Sequence, residues 1–257
     1  MFDMREIGRK IASLRRLKNM TQLELADQLN ISYQAVSNWE RGDSMPDIAK
    51  LSDLSRIFEI TIDELLGETK ESKAVKEVMD TKKLDPKAYD EDVLESVAKM
   101  MKPDDINRSM DDVHGLSVSA IVTLAPFLDE EVVDQLVIEA FDSNQDITWA
   151  ALAPFMSEEA LSKLALKAIE LDSKVNQSWV VSLAPFLEDE AMDLIGYKLY
   201  LSEGVHSVVS LAPFISEAVI DKIVDEELSK GNVQGIVSLL PFTGDKLGET
   251  ILKRMKR

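Results

Sequence analysis

The chain has 257 residues, a formal net charge of −18 and no cysteine. This length accommodates two domains, and a chain without cysteine has neither disulfides nor a thiolate metal site, as is typical of cytoplasmic proteins. No apolar run approaches the roughly 20 residues of a membrane helix, and the N-terminal segment Met-Phe-Asp-Met-Arg-Glu has no secretory core. We therefore expect a cytoplasmic protein that does not contact a membrane.

Residues 21–42 predict two short helices joined by a tight turn. The first helix begins at a capping box of Thr21 and Glu24 and ends at Asn30, a residue type that tolerates the left-handed conformation. The second helix begins at the cap Ser32 and ends at Gly42. On the second helix Ala35, Val36 and Trp39 share the face that we expect to be buried.

The opposite face of this second helix is polar. It carries Tyr33, Gln34, Ser37, Asn38 and Arg41, at positions i, i+1, i+4, i+5 and i+8. Glutamine and asparagine can form paired hydrogen bonds with adenine, and serine or tyrosine can contact bases or phosphates. The pattern predicts a helix that contacts base edges in the DNA major groove.

With these motifs in place, residues 4–67 resemble the lambda-repressor-like (XRE, Cro-type) helix-turn-helix family. The resemblance implies a five-helix DNA-binding domain, in which helix one spans residues 4–18 and the last helix starts at a capping box of Thr61 and Glu64. The inward residues of helices one, four and five would be Ile7, Ile11, Leu14, Leu17, Ile48, Leu51, Leu54, Phe58, Leu65 and Leu66.

The same resemblance implies a role for each polar position. Gln22 would contact a phosphate, and Arg41 and Lys50 would contact the DNA backbone. The residues facing the groove would be Ser32, Tyr33, Gln34, Ser37 and Asn38. Arg15 and Glu40 match a pair that forms a largely buried salt bridge between helices one and three in the family, so we expect both to be structural.

The charge of this domain leaves an alternative open. Residues 1–69 hold nine Lys or Arg and twelve Asp or Glu, a net charge of −3, whereas DNA-binding domains are usually basic. A domain kept for protein contact would have the same solvated polar face. Because phosphate contacts supply much of the binding energy, we expect a single copy to bind DNA weakly.

The second half of the chain repeats the phrase Leu-Ala-Pro-Phe or a close variant five times. The prolines lie at 126, 154, 185, 213 and 241, so the steps are 28, 31, 28 and 28 residues. This period predicts a solenoid that resembles a HEAT-like helical repeat, although HEAT units have about 40 residues. Each unit would contain a short apolar helix, a Pro-Phe corner and an amphipathic helix with an acidic start, and the phenylalanine would fill the seam between units.

The predicted fold class is therefore all-α, with three segments. Residues 1–69 would form the helix-turn-helix domain, residues 70–89 a charged linker with one helix from Ala74 to Met79, and residues 90–257 the repeat domain. A basic helix from Lys246 to Arg257 would cap the repeats, since a terminal unit needs a polar outer face.

Catalytic and metal-binding motifs do not stand out in this sequence. It has no Gly-rich phosphate loop and no nucleophile elbow, and two histidines without cysteine argue against a transition-metal site. We expect neither an enzyme nor a bound metal or cofactor.

Two functions remain open. One is a transcriptional regulator that binds double-stranded DNA as a homodimer, with half-sites about 34 Å apart. The repeats would then serve dimerisation, binding of a protein partner or sensing of a small-molecule effector. The other is a protein-interaction scaffold, in which the acidic repeat half binds partners and the N-terminal domain is an adaptor. The net charge outside residues 1–69 is −15.

Overall fold

The computed structural model describes residues 2–171 and 177–244, and within these ranges the chain forms α-helices and 3₁₀ turns without a strand. The predicted all-α class is confirmed. Contacts between Cα atoms group the chain into two compact units, Met1–Ile147 and Thr148–Arg257.

The first unit begins with the five predicted helices. They are α1 (Met4–Leu17), α2 (Gln22–Leu29), α3 (Tyr33–Arg41), α4 (Ile48–Phe58) and α5 (Ile62–Leu66). Each starts at a residue whose side chain accepts hydrogen bonds from the first turn, namely Asp3, Thr21, Ser32, Asp47 and Thr61. Both predicted capping boxes are present, and Asn30 and Gly42 adopt the predicted left-handed conformation.

The buried stripe of α1 differs from the predicted one. It consists of Ile7, Gly8, Ile11, Ala12 and Arg15. At helical spacing Leu17 falls on the opposite side of the cylinder from this stripe, and it is 75% exposed, so its predicted inward position is wrong. Leu14 lies at the edge of the stripe and is half-buried.

Helices α1 and α3 cross closely at a glycine. A Cβ atom on Gly8 would lie 2.2 Å from the carbonyl oxygen of Trp39, a distance that no side chain tolerates. Trp39 and Val36 of α3 are buried beside this crossing, and Ala35 is half-buried. The absence of a side chain at residue 8 is therefore what lets the two helices meet.

Five more helices complete the first unit: α6 (Lys70–Thr81), α7 (Glu91–Ala98), α8 (Pro103–Met110), α9 (Val118–Leu124) and α10 (Glu130–Asp142). Helix α6 occupies most of the segment expected as a linker and contacts α4, α5 and α7. Its Ala74 and Val75 are completely buried, because apolar residues at helical spacing give this charged segment one inward face. The division at residues 69 and 89 thus stays a proposal, since the compact unit continues to Ile147.

The second unit contains α11 (Trp149–Leu152), α12 (Glu158–Leu171), α13 (Gln177–Leu183), α14 (Asp189–Glu203) and α15 (Glu217–Ser229). The repeated phrase forms a 3₁₀ turn in every copy, at Ala125–Phe127, Ala153–Phe155, Ala184–Phe186, Ala212–Phe214 and Val237–Phe242. In the first four copies the proline lies in the first turn, where its missing N–H costs no helical hydrogen bond. The expected cap helix from Lys246 lies outside the described residues.

The phenylalanine of the phrase does not fill a seam as predicted. Phe155 and Phe186 are only half-buried, and Phe214 is 38% exposed. The buried position is the residue after each of these phenylalanines, namely Met156, Leu187 and Ile215. The extended backbone at that residue follows the 3₁₀ turn and directs its side chain into the core.

We predict that Gly8→Ala destabilises the protein by about 1–3 kcal/mol, because the added methyl group must push α1 away from α3. The measurement is urea unfolding followed by circular dichroism. Ser13→Ala, at an exposed position of the same helix, is the matched control and should unfold like the parent. Equal midpoints for the Gly8 variant and the control would contradict this view of the crossing.

Candidate nucleic-acid interface

The outer face of α3 presents the predicted row of polar side chains. Tyr33, Gln34 and Arg41 are exposed, and Ser37 and Asn38 are half-buried between them. The row points outward because Val36 and Trp39 hold the other side of the helix in the core. Gln34 has no hydrogen-bond partner within the described parts of the chain, so its amide is available to a base.

Ser32 has a local task at the start of α3. Its hydroxyl oxygen accepts a hydrogen bond from the backbone N–H of Ala35 at 3.2 Å. An N-cap of this kind satisfies a donor that the first turn leaves open, and it sets where the helix begins. Ser32 is exposed and its hydroxyl proton remains available to a phosphate or a base.

Arg41, at the C-terminal end of the polar row, bonds to two other side chains of the row and to Asp43. Its guanidinium donates to Ser37 Oγ and Asn38 Oδ1, both at 2.5 Å, and to the carboxylate of Asp43 at 2.7 Å. The side chains of Arg41 and Asp43 are more than half exposed, and exposed ion pairs contribute little to stability. The arrangement can therefore open at small cost when phosphates or bases compete for the same groups.

A buried polar cluster lies beneath the row and joins three helices. Arg15 of α1 donates to Glu40 Oε1 at 2.5 Å and to Glu40 Oε2 at 2.9 Å, and it also donates to the carbonyl of Met20 at 2.6 Å. Gln22 of α2 donates to Glu40 Oε2 at 2.8 Å. The side chains of Arg15 and Glu40 are only 10% and 6% exposed, which confirms the buried pair expected from the family resemblance.

The ionisation of Glu40 depends on these partners. Burial alone would raise the pKa of Glu40, but the hydrogen bonds from Arg15 and Gln22, together with the charge of Arg15, hold that pKa below its usual value. The carboxylate is therefore charged at neutral pH and keeps Arg15 bound. Its contribution to stability is present above the pKa of a free glutamate and is lost as the pH falls through the lowered folded-state pKa.

Lys50 is held by the scaffold in the DNA-free protein. Its ammonium donates to the carbonyl of Leu29 at 2.8 Å and lies 3.5 Å from Asp53. The Leu29 carbonyl is at the C-terminal end of α2, where a positive charge is favoured by the helix dipole. The sequence did not indicate this bond, nor the one from Gln22 to Glu40, because both depend on how the helices cross.

Metal ligands are not gathered at this face or elsewhere in residues 2–171 and 177–244, where no group of three His, Asp or Glu side chains is placed to hold an ion. Within the same ranges no helix is long and apolar enough to span a bilayer. The chemistry that this interface offers is hydrogen bonding from a rigid helix.

A capped helix pair with an outward polar row and a buried ion pair beneath it defines a helix-turn-helix domain. Residues 11–65 match the protein family described as helix-turn-helix. The uncharacterized HTH-type transcriptional regulator YazB of Bacillus subtilis is 38% identical over 58 residues, which are 23% of this chain and 84% of YazB. The chain belongs to the helix-turn-helix family of transcriptional regulators.

A further relative matches over a short part of this chain. The HTH-type transcriptional activator BcrR of Enterococcus faecalis is 46% identical over 62 residues, which cover 24% of this chain and 30% of BcrR. A crystal structure of Bacillus thuringiensis PlcR with the peptide PapR7 and DNA aligns over 98% of this chain and 93% of PlcR, with 14% identity and a TM-score of 0.24. A score that low does not define a shared fold.

We predict that Glu40→Gln lowers the free energy of unfolding by roughly 3 kcal/mol, because it leaves Arg15 buried without a countercharge. The loss should appear at pH 7 and shrink below about pH 4.5, where a free glutamate takes up a proton, until the pH has passed the lowered folded-state pKa of Glu40. Urea unfolding across this pH range is the measurement.

Glu59→Gln is the matched control for this variant. It also removes a lysine partner, since Glu59 accepts from Lys18 at 2.7 Å, but Glu59 is 80% exposed. Solvent screens such a pair, so we expect the control to behave like the parent. A Glu40 variant that is no less stable than the control would mean that the buried pair does not hold the helices together.

Proposed function

We propose that the protein is a sequence-specific transcriptional regulator whose helix α3 contacts bases in the major groove. The observation that carries this proposal is the outward polar row of α3 on a helix that is fixed from beneath by Arg15, Glu40 and Gln22. Base contacts need a rigid helix with exposed amides, because paired hydrogen bonds tolerate little misplacement. We propose no catalytic activity.

The proposed roles follow from what each side chain leaves available. Gln34 and Asn38 would bond base edges, with Tyr33, Ser37 and Ser32 beside them at bases or phosphates. Gln22 would use its second amide proton on a phosphate, since the first is bound to Glu40. Arg41 and Lys50 would turn from their present partners to the DNA backbone.

We further propose that the protein acts as a homodimer on double-stranded DNA in the cytoplasm. A single domain with a net charge of −3 has few phosphate contacts, so two copies on two half-sites would supply the missing affinity. The helical repeats that follow would support dimerisation or bind an effector.

A second candidate function is an interaction scaffold, and one groove in the second unit favours it. Pro185 and Phe214 line this groove together with the carboxylates of Glu158, Glu188 and Asp189. A groove in which carboxylates surround a few apolar side chains fits a basic protein segment. Under this alternative Glu188→Lys would abolish partner binding, and the outer face of α3 would have no ligand.

Selection of random double-stranded DNA by the purified full-length protein tests the first proposal against the second. Under the regulator hypothesis, sequencing should show an enriched site, with two half-sites if the protein is a dimer. Repeating the selection at a higher salt concentration separates base contacts from phosphate contacts, because the phosphate contribution falls steeply with salt. Absence of enrichment at both concentrations would contradict the regulator proposal.

We predict that Gln34→Ala and Asn38→Ala each weaken binding to the selected site by about 1–3 kcal/mol and relax the preference at one base position. Both residues lie on the outer face of α3, so circular dichroism should show an intact fold. Gln135→Ala, an exposed glutamine on α10, is the matched control and should bind like the parent. Parent-like affinity in both α3 variants would contradict the assigned contacts.

A further inference from the structure

A cavity of about 340 Å³ lies in the first unit behind the helix-turn-helix motif. Three parts of the chain line it, which are the N-terminal segment, the loop that follows α3 and the last turns of α7. Their lining side chains include Phe2, Met4, Met45, Ser96, Lys99 and Met100. We propose that this cavity binds a small, mainly apolar molecule that carries one neutral hydrogen-bonding group.

The apolar part of the proposal follows from size and lining. A volume of this order falls within the range of natural small-molecule pockets, which are mostly apolar with a few polar groups. Phe2 and three methionines supply most of the wall. Methionine side chains are flexible and polarisable, so they adapt to the shape of a bound apolar ring or chain.

Ser96 indicates where the polar group of the ligand would lie. This residue of α7 lines the cavity and is only 8% exposed. No described residue forms a hydrogen bond with its hydroxyl. Its oxygen keeps some surface open to the cavity, so a ligand atom that donates to it or accepts from it can take the place of water there.

The charges around the cavity favour a neutral ligand. Lys99 is the lining residue with a charge, and its ammonium is bound to Glu95 at 2.5 Å. The pair sums to zero, so the lining offers a bound anion no net positive charge. A neutral hydroxyl, arylamine or carbonyl on the ligand can bond Ser96 without bringing a charge into the cavity.

The place of the cavity connects it to the DNA-binding face. Met45 belongs to the loop that begins at Gly42, the last residue of the α3 cap. On the other side of this loop, the backbone N–H of Ile48 at the start of α4 donates to the carbonyl of Met100 at 3.1 Å. An occupant would therefore touch the loop between α3 and α4 directly, which makes the cavity an effector site for the proposed regulator. This regulatory role depends on the proposed function, whereas ligand binding does not.

The test titrates the full-length protein with N-phenyl-1-naphthylamine, a neutral apolar fluorophore with a single N–H group. We expect a saturable fluorescence increase with one site per chain. Ser96→Ala should weaken binding about fivefold through the lost hydrogen bond, and Met45→Gln about tenfold through the lost apolar contact. Leu194→Ala removes an exposed leucine of the second unit and should bind the fluorophore like the parent.

Binding that does not saturate, or that responds to Leu194→Ala rather than to the two cavity variants, would overturn the proposal, as would no binding at all. A second titration, with the DNA site from the selection, measures DNA affinity at saturating fluorophore. A change in affinity that Ser96→Ala reduces supports the effector role, and an unchanged affinity overturns it. Failure of the regulator proposal is distinguishable, because it would remove DNA enrichment and leave the fluorophore titration as expected.

Discussion

The ion pair of Arg15 and Glu40 is the interaction on which the outward polar face of α3 depends. Removing two charges from water is expensive, and the cost is recovered only when both partners and their remaining hydrogen-bonding groups are in place. Here Gln22 and the carbonyl of Met20 complete the set, so the helices α1, α2 and α3 are compatible with one arrangement. The close contact at Gly8 adds a steric limit to the same crossing.

This constraint explains why a short helix can hold its row of polar side chains in one orientation. Helix α3 has only nine residues and would be marginal in isolation. Its inner residues, Val36 and Trp39, and the ion pair at Glu40 fix its rotation about its own axis. The orientation of the outer row therefore does not depend on the intrinsic helix propensity of the α3 sequence. The loop after α3 leads to Ile48 at the start of α4, and the backbone N–H of Ile48 donates to the carbonyl of Met100. A residue far from the helix-turn-helix motif in sequence therefore contacts the segment that follows α3.

Local features of this fold could be predicted from the sequence, and features set by tertiary contacts could not. The capping boxes and the left-handed residues Asn30 and Gly42 follow from the chemistry of a few neighbours. The buried salt bridge of Arg15 and Glu40 was expected only because this sequence resembles a family that has such a pair. The exposure of Leu17 follows from helical spacing once the buried stripe of α1 is known, but the neighbouring helices determine which stripe is buried.

The same limit applies to the rest of the chain and to the candidate site. The repeat period predicted two helices with a Pro-Phe corner between them, but it did not indicate that this corner is a 3₁₀ turn or that phenylalanines such as Phe214 stay accessible. The charged composition of residues 70–89 concealed the buried face of α6 around Ala74 and Val75. At the site, the outward row was predictable from helical spacing, whereas the bonds of Gln22 and Lys50 arise from helix crossings.

Chemical interference on the selected DNA site tests the major-groove claim most directly. Dimethyl sulfate methylates guanine N7, which faces the major groove, and adenine N3, which faces the minor groove. The account predicts that methylated guanines within each half-site are excluded from the protein-bound fraction, while methylated adenines are retained. Exclusion of methylated adenines alone, or no exclusion at either position, would contradict contact between helix α3 and the major groove.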